Sequence, residues 1–79
     1  MAFSDSVKDQ AFKRSGGQCE CRRYSHTNHS GRCTATITRH SAEYHHVTAV
    51  AAGGHDGLSN CEALCVTCHR QTDSYGRNW

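Results

Sequence analysis

Apolar positions are sparse and grouped along this 79-residue chain, and the spacing inside each group predicts a different element. Between residues 5 and 15, Val7, Ala11 and Phe12 fall on one helical face, with polar side chains around them. Ser4 and Asp5 suit the start of that helix, because a hydroxyl caps open amides and an acid sits near the positive end of the dipole. Gly16 and Gly17 stop it. Residues 18–33 (QCECRRYSHTNHSGRC) show neither helical nor strand periodicity but hold three cysteines and two histidines, which predicts a metal-organised loop. Residues 34–39 (TATITR) and 43–50 (EYHHVTAV) are rich in β-branched and aromatic side chains, as strands are. The short connection from Arg39 to Ala42 predicts that these two strands form a hairpin. Gly53, Gly54 and Gly57 make 51–59 a loop. A short helix is expected from about Cys68 to Ser74, with a loose tail after Gly76. No internal repeat, linker or low-complexity tract interrupts the pattern.

Composition then narrows the picture. One domain, residues 1–79, is all this length allows, and only 35% of it is hydrophobic. A core this thin rarely supplies more than roughly 3–5 kcal/mol, so a staple is expected. Six cysteines can provide it, as disulfides or as metal ligands. The opening MAFSDSVKDQ lacks the apolar run of a signal peptide, and nothing later is long and apolar enough to span a membrane. The expectation is therefore a cytoplasmic protein with reduced thiols and a structural Zn2+ rather than disulfides. The Cys65-x-x-Cys68 spacing fits, since a two-residue gap lets both sulfurs face one tetrahedral ion from a tight turn.

Charge is uneven. Residues 1–39 carry Lys8, Lys13, Arg14, Arg22, Arg23, Arg32 and Arg39 against Asp5, Asp9 and Glu20, a net +4. Residues 40–79 carry Arg70 and Arg77 against Glu43, Asp56, Glu62 and Asp73, a net −2. A basic half beside a half able to hold cations suits a polyanionic substrate.

The stretch from Glu43 to His69 (EYHHVTAVAAGGHDGLSNCEALCVTCH) holds the candidate chemistry. It contains the pair His45-His46, the Gly53-Gly54 turn, the Leu58-Ser59-Asn60 step, and Leu64-Cys65-x-x-Cys68-His69. Phosphodiester hydrolysis needs a base for water, a cation for the phosphate and a rigid frame, and these residue types can supply all three. In this order the motifs resemble the HNH endonuclease family. The resemblance implies a small zinc-stapled α+β domain: a ββα-metal finger over residues 34–75, preceded by the metal loop 18–33 and the N-terminal helix 5–15. It implies cleavage of DNA, double-stranded or nicked, leaving a 5′ phosphate. His46 is carried over as general base and His45 as ligand of a catalytic divalent ion (Mg2+, Mn2+, Co2+ or Ni2+). His69 binds the same ion, and Asn60 positions loop and base.

For the structural Zn2+, Cys65 and Cys68 are the firm pair. Gly16-Gly17-Gln18-Cys19-Glu20 resembles the family's first knuckle, which nominates Cys19. The family's next cysteine falls where this chain has Arg22, so Cys33 or Cys21 completes the set. Cys19 with Cys33 is preferred, and Cys21 with Cys33 comes next. Cys61 reads as a buried small hydrophobe, and His40 and His55 as loop residues; His26 and His29 could be ligands, but histidines in a polar loop are more often solvated. Asp73, four residues after His69, is a candidate third ligand or a carboxylate holding His69. Arg22, Arg23, Arg32 and Arg70 are the expected nucleic-acid contacts, with Lys13, Arg14 and Arg77 nearby.

An imidazole at position 45, where many family members carry aspartate, favours softer ions than magnesium. A homodimer would present two sites to opposite strands, although nothing in the residues calls for one. The rival reading is a non-catalytic zinc module that recognises nucleic acid or protein, and it has no use for His46. A secreted disulfide-stapled peptide is a third reading.

Overall fold

Ser4 starts the first helix as its hydroxyl suggests: Oγ accepts the Val7 amide at 3.2 Å. The computed structural model describes residues 3–22, 29 and 31–72, and in it helix α1 runs Asp5–Ser15. Gly16 ends it at φ 68°, where its N–H reaches the Lys13 carbonyl at 3.2 Å. That left-handed conformation is open to glycine without steric cost. Ala11 is fully buried, and Val7 and Phe12 pack at either side of it against two separate clusters.

The hairpin forms between different partners from those expected. Strand β1 (Glu43–His46) pairs antiparallel with β2 (Cys61–Leu64), placing Tyr44 opposite Ala63 and His46 opposite Cys61. Residues 34–39 do not join this sheet. They lie along the chain that follows α1: the Cys33, Cys19 and Ile37 amides donate to the Cys21, Ala35 and Gly17 carbonyls at 2.8, 2.9 and 2.9 Å. Strand propensity records fit to a half-buried pleat and does not choose the partner. Here burial chooses it, because Ile37 enters the cysteine-lined core and draws its segment against residues 17–21. Residues 38–42 form a closed turn, with Ala42 N–H on Thr38 O at 2.9 Å and Thr38 N–H on Ser41 Oγ at 2.8 Å.

Helix α2 runs Val66–Arg70, two residues earlier than expected and ending sooner. Cys65 caps it, its Sγ accepting the Cys68 amide at 3.5 Å. The order β1, β2, α2 is still strand, strand, helix. Between the strands, residues 47–60 form a loop with short 3-10 turns at Val50–Ala52 and Leu58–Asn60. No helix among the described residues is long and apolar enough to cross a membrane.

The larger core cluster contains Cys19, Cys21, Cys33 and Cys68 beside Ile37, Ala42, Ala63 and Leu64. Half of these side chains are thiols, so hydrophobic burial alone secures little. A second cluster of Phe3, Ala11 and Cys61 lies under α1. Arg14 bolts the helix to the sheet. Its guanidinium meets both Glu20 oxygens at 2.7 Å and donates to the Cys61 carbonyl at 2.6 Å. Glu20 in turn accepts the Ala63 amide at 2.8 Å.

Candidate metal centre and active site

No disulfide links the six cysteines, all of which are among the described residues. The sulfurs of Cys19, Cys33, Cys65 and Cys68 lie within 4.8 Å of one another. Zinc with Zn–S bonds of about 2.3 Å at tetrahedral angles holds its sulfurs about 3.8 Å apart, so modest contraction would seat it. Backbone amides already point at two of them, Cys65 N–H at Cys19 Sγ (3.3 Å) and Cys68 N–H at Cys65 Sγ. Burial pushes the Cys19 thiol up to about 12. Burial pushes Cys65 upward too, but hydrogen bonds from Cys68, Cys19 and Cys33 outweigh it and hold this thiol below its ordinary value. One sulfur thus gives up its proton more readily than an ordinary thiol, and the other less readily. Cys61 lies in the other cluster, where burial raises its thiol to about 11, as befits a small neutral core residue.

On β1, side chains alternate between faces. His45 turns toward α2, where its ring meets that of His69 edge-on, centroids 5.3 Å apart. With metal–nitrogen bonds of about 2.0–2.1 Å and ring nitrogens roughly 1.1 Å from their centroids, two imidazoles on one tetrahedral ion stand about 5.2 Å apart. The observed separation is close to that spacing. Glu43, two residues before His45 and on the same face, places Oε1 2.5 Å from His69 Nδ1. An ionised carboxylate accepts the Nδ1 proton, which leaves the ring's lone pair on Nε2.

His46 turns the other way and is 1% exposed. Phe3 stacks on it, centroids 3.9 Å apart and planes 21° from parallel. Its Nε2 lies 2.7 Å from Asp56 Oδ1. With the Nε2 proton held by that carboxylate, Nδ1 keeps its lone pair, and it has no hydrogen-bond partner among the described residues. Asp56 reaches this place because Asn60 closes the loop. Asn60 Oδ1 accepts the Thr48 amide at 2.7 Å, and its Nδ2 donates to the Thr48 and His55 carbonyls at 3.0 and 2.8 Å. Gly54 is required there, since a Cβ would come within 1.7 Å of the Thr48 oxygen.

The structure thus brings His45 to His69, and the four sulfurs to one another, with His46 on the opposite side of the strand. Glu43 and Asp56 were not singled out from the sequence. Glu43 carried a signal in its two-residue offset from His45, whereas Asp56 sits in a loop whose course no periodicity reveals. Among the basic candidates, Arg32 is turned inward, donating to the Cys19, Ser15 and Gln18 carbonyls at 3.0, 2.8 and 3.0 Å. Arg14 is likewise tied to Glu20, while Arg22, Arg70 and Lys13 are exposed. Arg23, His26, Asp73, Arg77 and the expected loose tail lie outside the described residues.

The family model for HNH endonuclease matches residues 31–74. The Type IV methyl-directed restriction enzyme EcoKMcrA of Escherichia coli (strain K12) is 47% identical over 36 residues. That match covers 46% of this chain and only 13% of the restriction enzyme. With more than half of its residues inside the family match, the chain belongs to the HNH endonuclease family.

Proposed function

We propose that the chain is a metal-dependent endonuclease that hydrolyses DNA phosphodiester bonds and leaves a 5′ phosphate. The observation that carries this reading is the His45–His69 pair, whose 5.3 Å ring separation suits one shared ion. A divalent ion bound there supplies Lewis-acid stabilisation of charge on the phosphate and the departing 3′ oxygen. Glu43 fixes the His69 tautomer. His46 holds the family position of the general base, with Asp56 on its Nε2; it lies under Phe3 on the other side of β1 from His45, so taking a proton from water at that ion requires this end of the strand to open. Asn60 keeps Asp56 in place by clamping the loop. Cys19, Cys33, Cys65 and Cys68 hold a structural zinc that joins the α1 end of the chain to α2. Arg22 and Arg70 contact phosphates, and Arg32 belongs to the scaffold. DNA as substrate is supported by the family and by the similarity to a restriction enzyme.

The burial of His46 beneath Phe3 favours one rival, a non-catalytic zinc module that binds nucleic acid or protein. Supercoiled plasmid separates the two. Zinc-loaded wild type with Mg2+, Mn2+, Co2+ or Ni2+ is expected to nick it, and His46→Ala, with unchanged zinc and fold, to be about 10²–10⁴-fold slower. Equal rates in both proteins, or no nicking with any of the four ions, would refute the enzyme reading.

A further inference from the structure

Cys21 has no place in the four-thiolate zinc site or in the hydrolytic residues, yet it is fully buried. It lies two residues after Cys19 in an extended segment paired with residues 33–35, so both sulfurs project to the same side. The Cys33 amide on the Cys21 carbonyl at 2.8 Å holds that register. Cys21, His29 and Cys68 each offer a ligand atom within 4.8 Å of the others. Cys68 therefore belongs to two potential ligand groups at once.

His29 is set up for the task. Its Nδ1 lies 2.9 Å from the Gly31 carbonyl, which can only accept, so Nδ1 carries the proton. The Nε2 lone pair is then the coordinating atom, and Nε2 is buried. A ring nitrogen fixed by a backbone carbonyl is the arrangement that metal-ligating histidines ordinarily adopt.

The geometry points to a second thiophilic-metal position formed by Cys21, His29 and a bridging Cys68 thiolate, beside the four-thiolate zinc. This rests on that zinc reading. A thiolate bound to one cation keeps lone pairs for another, so Cys68 can serve both. Electrostatics favours the pair: four thiolates around one divalent ion leave two negative charges in excess in a buried site, which is costly. A second divalent ion with one added thiolate and a neutral imidazole halves that excess. Three protein ligands leave a fourth position for water or an incoming donor. The ion would come from the soft or borderline class that sulfur and imidazole select, such as Zn2+, Cd2+ or Co2+.

The test counts thiolate-held zinc. The full chain is loaded with zinc, a chromogenic chelator first removes ions held by histidines alone, and an organomercurial then releases the rest. Two ions per chain are expected from wild type and from Cys61→Ser, and one from Cys21→Ser and from His29→Ala. Circular dichroism checks the fold of each, and His29→Ala gives the reading if Cys21→Ser unfolds. One ion from wild type, unchanged in both variants, overturns the second position and leaves the four-thiolate site standing. Loss of all zinc in Cys21→Ser, with zinc retained in Cys33→Ser, overturns it as well, by making Cys21 a ligand of a single site. No thiolate-held zinc in wild type removes the four-thiolate reading and this one together.

Discussion

Replacing Asn60 with aspartate separates its role as loop clamp from the alternative of a metal ligand. As a clamp, Asn60 uses its whole amide: Oδ1 accepts from Thr48, and Nδ2 donates to the Thr48 and His55 carbonyls. Aspartate keeps the acceptor and loses both donors, setting an oxygen against two carbonyls at a site only 5% exposed. Two lost hydrogen bonds cost about 1 kcal/mol each, and leaving the carbonyls unsatisfied raises the total to about 3 kcal/mol. A domain of this size holds roughly 4–12 kcal/mol, so the variant should remain folded. Urea unfolding followed by circular dichroism, at one fixed free-zinc concentration, reads the loss directly. Melting should fall by at least about 10 °C, and plasmid nicking should fall because Asp56 is released from His46. As a metal ligand, aspartate would bind a divalent ion better than the amide does. Stability within about 0.5 kcal/mol of wild type, with nicking equal or faster, would refute the clamp.

Two further outcomes bear on other parts of the account. If His45 is a ligand, Mn2+, Co2+ or Ni2+ should support nicking as well as Mg2+ or better; superior rates in Mg2+ alone would count against it. Burial raises the Cys61 thiol to about 11, with Arg14 partly opposing, against an ordinary value of 9.0. The unfolded thiol ionises first, so this contribution to stability is complete below pH 9 and is lost as pH rises toward 11. Urea titrations from pH 8 to 11 should show a shallower alkaline decline for Cys61→Ala than for wild type, and parallel curves would contradict the burial argument.

How far the fold could be read in advance varied with how local its causes are. Helix α1 was legible because Ser4, Asp5, the Val7–Ala11–Phe12 face and Gly16 all act within a few residues of one another. The clustering of Cys65 and Cys68 was legible because a two-residue gap lets both sulfurs face one point, and the two do lie together with Cys19 and Cys33. Strand partners were not. Ile37 and Val47 raise strand propensity in their segments equally, but only Ile37 finds the core, and it does so against residues 17–21. Cys61–Leu64 contains Glu62 and Ala63, both weak strand formers, and pairs with β1 through tertiary context. The same limit applies to the site. His45 and His69 were nominated by resemblance; Glu43 had only its two-residue offset from His45 to mark it, and Asp56 falls into place only because Asn60 closes the loop. The inward turn of Arg32 was hidden for a like reason, since formal charge does not tell which guanidinium will find carbonyls.

Anomalous diffraction from zinc-loaded crystals soaked in Mn2+, recorded at the absorption edges of both metals, tests the central claim most directly. The account predicts zinc signal among Cys19, Cys33, Cys65 and Cys68, and manganese signal between the His45 and His69 rings. Manganese absent from that pair, or zinc absent from those sulfurs, would contradict it.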